Sequence, residues 1–244
     1  MAKRLTRKKL KQKDEFITTA EKIINSAAKY RSSFIVAGIV LLFSLIFASV
    51  GFYYYKDYSK KGSIAYFQDL HLYEVALNSH DKSDITNALN GFESLKTHFR
   101  FLNISKLAQL YIGNCQYMLG DYDKAVETYK TFLSAWGNTN NAIAAIAYNG
   151  EIQSDIAKND CKSALTIANK LLNAKDNAFI QLTYLHAVDC YLKLNQSKDA
   201  IELLNSGINK NNNNKELVAQ LTKLLDYVKT REQNHIVNFG TNNF

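Results

Sequence analysis

Residues 106–133 read KLAQLYIGNCQYMLGDYDKAVETYKTFL, and this stretch determines the architecture because it contains two amphipathic helices around a tight turn. Gly120 offers the left-handed backbone conformation that ends the first helix, and Asp121 can cap the helix that follows. The small residues Gly113 and Ala125 let the two helices pack closely. The stretch therefore predicts an antiparallel pair of helices.

The small and aromatic residues of this pair resemble the pattern of the tetratricopeptide repeat. The matching residues are Gly113, Leu119, Gly120, Tyr122, Ala125, Tyr129 and Phe132. Two positions depart from the family pattern, since Gln109 replaces an aromatic residue and Gly137 replaces the closing proline. The resemblance implies a stack of such pairs, in which Tyr129 and Phe132 fill the gap to the next pair.

Degenerate copies of the pair recur along the chain. The equivalent small residues in the second helix of each pair are Ala88, Ala125, Ala164 and Ala200. Their intervals are slightly longer than the roughly 34 residues of a standard repeat. Turns are predicted at Asn159-Asp160 and at residues 195–197, and residues 215–232 carry the apolar face of a final capping helix. A generic helical bundle without true repeats is the alternative.

The run from Phe34 to Tyr55, FIVAGIVLLFSLIFASVGFYYY, contains no charged residue and predicts a membrane span. A helix rises about 1.5 Å per residue, so the run reaches roughly 33 Å and can cross a hydrocarbon core. It is longer than the apolar region of a signal peptide and ends in aromatic residues, which favours a retained anchor. Small residues at Ala37, Ser44, Ala48 and Gly51 would allow homo-oligomer contacts through the span.

The positive charge of the chain is concentrated before this run. Residues 1–31 carry ten Lys and Arg against three acidic residues, which is +7 of the +8 of the whole chain. Basic flanks remain in the cytoplasm, so the larger C-terminal part is predicted to be translocated, which means periplasmic in a bacterium. The charge is interpreted as a topology signal, with contact to anionic lipid or ribosomal RNA as the alternative, and no nucleic-acid partner is predicted.

The chain contains no proline and few glycines, and apolar residues recur at helical spacing from Ser63 to Val228. The predicted fold class is all-α, with one N-terminal transmembrane helix followed by a tetratricopeptide-like α/α solenoid of about four helix pairs plus a capping helix. Four parts are predicted: a cytoplasmic basic arm with a short amphipathic helix, a transmembrane helix, a tetratricopeptide-like helical domain and a C-terminal tail. Their ranges are 1–33, 34–55, 56–232 and 233–244.

This order of parts resembles a family of bacterial inner-membrane, tetratricopeptide-like proteins that includes the ancillary subunit of the SecYEG translocon. The more distinctive matches are Arg4-Leu5-Thr6-Arg7-Lys8 and Asp14-Glu15-Phe16. The resemblance implies a membrane-tethered scaffold at the Sec translocon that contacts periplasmic chaperones or emerging secretory chains. The alternative is a structural or regulatory subunit of another envelope complex, for division, secretion or envelope assembly.

In a solenoid of this kind, the first helix of each pair lines a concave groove. The candidate groove residues are Leu107, Leu110, Asn114, Tyr117, Met118, Asn149, Gln153, Asp189 and Lys193, with Ile146, Ile156, Leu182 and Leu185 beside them. This mixed lining suits a helix or an extended peptide with apolar anchors, although the leucines are also typical of inter-helix packing. Leu110, Asn149 and Leu185 stand where some relatives carry basic residues, so we predict no clamp for a C-terminal carboxylate.

The sequence contains no catalytic, cofactor or metal signature. His71 and Glu74 lie three residues apart on a helix without an evident third ligand. No nucleophile elbow, phosphate-binding loop or dinucleotide fingerprint occurs. The protein is therefore predicted not to be an enzyme and to need no cofactor or metal.

The chain contains three cysteines, an odd number that leaves at least one thiol free. Cys115 and Cys190 fall at equivalent positions two repeats apart, a separation of roughly 20 Å in such a solenoid. A disulfide needs Cα atoms within about 7 Å, so this pair is predicted not to bond.

Overall fold

The computed structural model describes residue 21 and residues 30–136, 142–174 and 178–240, and every regular element of residues 30–240 in these ranges is an α-helix. The helices are α1 (Arg31–Ser79), α2 (Lys82–His98), α3 (Asn103–Leu119), α4 (Tyr122–Trp136), α5 (Ala142–Ala157), α6 (Cys161–Leu172), α7 (Ile180–Lys193), α8 (Ser197–Lys210) and α9 (Lys215–Gly240). The chain divides into two units, residues 1–58 and 59–244. The all-α prediction is confirmed.

In the first unit, the N-terminal part of α1 exposes its apolar side chains, and Phe47 is 83% exposed. Two serine hydroxyls are satisfied within the helix, since those of Ser44 and Ser49 donate to the carbonyls of Leu41 and Leu45. Among the described residues, α1 is the one helix whose length and composition suffice to cross a membrane. Of the predicted amphipathic helix of the arm, the structure describes only Glu21 and Tyr30, and the rest lies outside the described residues.

The second unit contains the predicted helix pairs. Residues 59–79 of α1 pack with α2, α3 packs with α4, α5 with α6, and α7 with α8, while α9 closes the end beside α8. The predicted marker alanines Ala88, Ala125, Ala164 and Ala200 are all fully buried. Gln109, which departs from the family pattern, is also buried and donates from Nε2 to the Thr128 carbonyl at 3.4 Å. An amide therefore joins α3 to α4 where an aromatic ring is usual.

Each helix pair turns through one residue with a left-handed backbone. These residues and their φ angles are His80 (55°), Gly120 (85°), Asn159 (65°) and Asn195 (59°). At three turns, the following N–H donates to the carbonyl five residues earlier, at 2.8–2.9 Å: Asp121 to Gln116, Asp160 to Asp155 and Gln196 to Tyr191. This is the Schellman arrangement that satisfies the last carbonyls of a helix. The predicted asparagine turns are confirmed, because asparagine tolerates this conformation better than most residues.

Three clusters of buried apolar side chains fill the second unit. The N-terminal core is built around Phe92, Leu95 and Ile112, the central core around Tyr129, Phe132 and Ile152, and the C-terminal core around Leu204, Leu221 and Val228. Each core lies between consecutive helix pairs, or between the last pair and α9. The apolar interior is therefore distributed along the stack, as expected for a repeat domain.

Two predicted boundaries fall inside helices. The limit between span and repeat domain, after Tyr55, lies within α1, and the predicted tail from residue 233 begins within α9, which continues to Gly240. Among the α9 side chains whose burial the structure describes, Val228 is the last buried one, and the apolar face predicted from the sequence also ends at this residue. However, no glycine or proline occurs between Lys215 and Gly240, so the sequence contains no strong signal to end the helix there.

Candidate functional site

A groove with a volume of about 310 Å³ lies along the first helices of the pairs, and we call it the partner groove. Its lining residues are Tyr73, Leu77, Asn114, Tyr117, Met118, Tyr129, Ile146, Asn149, Gly150, Gln153, Phe179 and Leu182. They come from the end of α1, from α3 and α5, and from the start of α7, with Tyr129 reaching in from α4. The stacking of helix pairs therefore brings residues from distant parts of the sequence onto one surface.

The structure brings five of the nine predicted groove residues together, namely Asn114, Tyr117, Met118, Asn149 and Gln153. The neighbouring positions Ile146 and Leu182 line the same groove. Their contact with a partner stays a prediction.

The other predicted positions lie elsewhere. Leu110 is buried in the central core, and Leu107 is half-buried outside the groove lining. Both are therefore better described as packing residues, the alternative that the sequence left open. Asp189 and Lys193 lie one helical turn apart on α7 and form an ion pair of 3.3 Å outside the groove. These four positions lie outside the described lining of the groove, and whether they contact a partner stays a prediction.

The floor of the groove is a hydrogen-bond network that connects side chains from three helices. The Tyr129 hydroxyl donates to Asn114 Oδ1 at 2.7 Å, and Asn114 Nδ2 donates to the Tyr73 hydroxyl at 3.3 Å. Burial raises the pKa of both phenols, which keeps them protonated. The two hydrogen bonds of this network fix the side-chain amide of Asn114 between two aromatic rings.

Two glycines make room for the Tyr129 ring. A Cβ atom on Gly113 would lie 2.7 Å from the ring, and one on Gly150 would lie 2.5 Å from it. Sequence reasoning had assigned Gly113 to close helix packing but overlooked Gly150 and Tyr73. A glycine inside a helical pattern often has such a packing reason, so the signal for Gly150 was available.

The polar groups that line the groove are side-chain amides and phenol hydroxyls, and the imidazole of His186 lies beside the amide of Gln153. Asn149 is 4% exposed; its Nδ2 donates to the Ala145 carbonyl at 2.8 Å, while its Oδ1 has no partner among the described residues. Gln153 Nε2 lies 3.3 Å from His186 Nε2, and burial lowers the pKa of His186. No Lys, Arg, Asp or Glu is among the described lining residues. The groove therefore offers hydrogen bonds without a net charge.

Two acidic side chains of α5 are buried outside the groove lining. Asp155 is 2% exposed; its Oδ1 lies 3.6 Å from Lys158 Nζ and its Oδ2 has no partner among the described residues. Glu151 is also buried, with Oε1 at 3.7 Å from Lys130 Nζ. Burial raises the pKa of both carboxyls, against the opposing effect of these lysines. The folded state therefore carries an electrostatic cost here at neutral pH.

Substitution Asp155→Asn is expected to increase the free energy of unfolding at pH 7 by about 1–2 kcal/mol, because it removes a buried charge while Lys158 keeps its 3.1 Å contact with Asp123. Because burial raises the pKa of Asp155 in the folded state, the folded protein binds this proton more tightly than the unfolded chain does. The free energy of unfolding of the wild type therefore rises as pH falls toward the pKa of an aspartate in the unfolded chain, about 3.9. The advantage of the variant should shrink between pH 7 and pH 4. Urea unfolding followed by circular dichroism measures it, and an advantage that grows with acidity would contradict this account.

No cluster of three or more potential metal-ligating His, Cys, Asp or Glu side chains occurs in the part of the chain that the structure describes. The described lining of the groove offers apolar contacts and hydrogen bonds from amides and phenols.

Comparison with known protein families identifies one tetratricopeptide repeat in the chain. Residues 107–139, which begin in α3 and include α4, match the tetratricopeptide repeat family model. A crystal structure of nearly identical TPR-like repeats, from a Podosopora anserina protein of the kinesin light chain type, is similar to this chain with a TM-score of 0.48 and 10% identity, covering 67% of this chain and 95% of that one. No curated protein sequence matches the chain. Tetratricopeptide repeats generally mediate protein–protein interactions and are typically non-catalytic, so the repeat at residues 107–139 indicates a protein–protein interaction scaffold.

Proposed function

We propose that the protein is a membrane-tethered scaffold whose partner groove holds a segment of another protein. The tetratricopeptide repeat at residues 107–139 indicates a protein–protein interaction scaffold. The apolar N-terminal part of α1 is long enough to anchor it in a bilayer. The two units of the chain would then have separate roles, one in anchoring and one in recognition.

The observation that carries the proposal is the chemistry of the groove lining. The side-chain amides of Asn114, Asn149 and Gln153 line the groove without any charged residue among the described lining residues, which suits an uncharged ligand that exchanges hydrogen bonds. Leu77, Ile146 and Leu182 supply apolar contacts around these amides. An uncharged peptide segment with a backbone N–H and an apolar side chain matches both features.

The proposed location is the bacterial inner membrane, with the N-terminus in the cytoplasm and the repeat domain in the periplasm. The +7 charge of residues 1–31 supports this orientation, because basic flanks remain in the cytoplasm. The resemblance to ancillary translocon subunits suggests the partners: subunits of the Sec translocon, periplasmic chaperones or emerging secretory chains. Contacts between spans would add a homo-oligomer to these partners.

Site-specific photo-crosslinking in intact membranes tests the groove and its partners together. A photoreactive residue at Ile146, which is 39% exposed and lines the groove, is expected to capture a partner protein that mass spectrometry identifies as a translocon subunit, a chaperone or a secretory chain. The matched control is Thr131, an exposed residue of α4 outside the groove lining. Equal products from both positions would contradict the groove. Capture of a division or envelope-assembly protein from Ile146 alone would keep the groove and replace the Sec assignment.

Protease treatment of spheroplasts tests the orientation separately. Residues 59–244 are expected to be digested from outside, and resistance of this unit in spheroplasts, with digestion after lysis, would reverse the proposed topology.

A further inference from the structure

Two of the three cysteines lie together in the central core. Cys161 is the first residue of α6, and Cys190 lies near the end of α7, the helix that packs beside it. Both belong to the same cluster of buried side chains, and the Cys161 thiol lies close enough to Cys190 to add to the burial effect that raises the pKa of the Cys190 thiol. Cys115 belongs to the N-terminal core instead. All three are unbridged in the structure.

We propose that Cys161 and Cys190 are a disulfide-forming pair that links the third helix pair to the fourth when the repeat domain folds in a thiol-oxidising environment. The antiparallel packing of α6 and α7 places the start of one helix beside the end of the other, which is why residues 29 positions apart meet. Sequence reasoning compared Cys115 with Cys190 and left Cys161 unplaced.

The oxidant is an exchangeable disulfide, such as oxidised glutathione or the disulfide of a thiol oxidoreductase. One cysteine thiolate attacks this disulfide, forms a mixed disulfide and releases one thiol of the oxidant. The second thiolate then attacks the protein sulfur of the mixed disulfide, forms the Cys161–Cys190 bond and releases the second thiol. The pair loses two protons and two electrons, and the oxidant is reduced to two thiols.

Burial determines when this exchange takes place. Cys161 is 3% exposed and Cys190 is fully buried, so an oxidant does not reach them in the closed fold. Burial also raises the pKa of the Cys190 thiol, which keeps it in the unreactive protonated form. The bond therefore forms while α7 is docking onto α6 or during local opening of this joint, and afterwards it holds the joint closed.

The test uses the purified full-length protein in detergent, refolded from urea with oxidised glutathione. We expect one free thiol per chain after denaturation, and a tryptic product in which residues 159–162 are linked to residues 176–193. Cys115→Ser should keep this product, whereas Cys161→Ser and Cys190→Ser should lose it. The oxidised protein should melt about 5–10 °C above the reduced protein, and this difference should vanish in Cys190→Ser.

Three free thiols after oxidative refolding, or a bridge that includes Cys115, would overturn the proposal. This test in vitro is independent of the membrane topology. Trapping of free thiols in living cells tests the proposed periplasmic location as well. A bridge that forms in vitro but not in cells would contradict that location and would not contradict the disulfide-forming pair.

Discussion

Substitution Tyr129→Ala is expected to lower the free energy of unfolding by about 3–5 kcal/mol, as measured by urea denaturation followed by circular dichroism. Tyr129 is the largest fully buried side chain described, and its ring fills the space between Gly113 of α3 and Gly150 of α5. Its loss leaves a cavity between the second and third helix pairs, because the two helices contain glycine there and cannot collapse onto the site with side chains of their own.

Two further variants separate the ring from the hydroxyl group. Tyr129→Phe keeps the ring and removes only the 2.7 Å bond to Asn114, so we expect a cost of about 0.5–1.5 kcal/mol. Gly150→Ala keeps the tyrosine but forces a Cβ against it, which should cost about 1–3 kcal/mol. If Tyr129→Ala were no less stable than Tyr129→Phe, the ring would not stabilise the packing of the second helix pair against the third.

Substitution Phe92→Ala should have a comparable effect, about 3–5 kcal/mol, in the N-terminal core. Phe92 is fully buried; its ring stacks on Tyr111 with a centroid separation of 4.7 Å and meets Tyr73 edge-on at 6.3 Å. Because Tyr73 also lines the partner groove, the variant should weaken partner capture at Ile146 as well. Unfolding in urea and crosslinking yield measure the two consequences.

The N-terminal and C-terminal cores share no residue, so a variant in the C-terminal core serves as the control for Phe92→Ala. Leu221→Ala removes a buried side chain from the C-terminal core. The double variant with Phe92→Ala should lose the sum of the two single losses within about 0.5 kcal/mol. A much larger or smaller loss would show that the repeat domain is coupled more tightly than its separate cores imply.

The helix pairs were predictable because their determinants are local. Each crossing of two helices needs a small residue, so a small residue recurs along the sequence at nearly regular intervals. The four alanines at these positions are all buried, as the pattern requires: Ala88, Ala125, Ala164 and Ala200. The turns were equally readable, since glycine or asparagine is needed where the backbone becomes left-handed. Propensity and spacing suffice for such features.

The groove was only partly predictable because its lining depends on how far successive pairs rotate. Leu110 and Asn149 occupy equivalent helical positions, yet the first is enclosed by the central core and the second lines the groove. Tyr129 comes from the second helix of its pair, and its buried ring reaches the floor of the groove between two glycines. The contact of Cys161 with Cys190 likewise depends on the docking of neighbouring pairs, which a repeat pattern alone does not specify.

The hydrogen-bonded floor of the groove is also the joint between helix pairs. Tyr73, Asn114 and Tyr129 connect α1, α3 and α4, and the Tyr129 ring bears on Gly150 of α5. A ligand that contacts this floor changes the free energy of the joint, and by thermodynamic reciprocity a change in the joint alters the affinity for the ligand by the same factor. Binding of the proposed partner at this floor and the packing of the helix pairs would therefore be thermodynamically linked, so a force that separates the pairs would change the affinity for the partner.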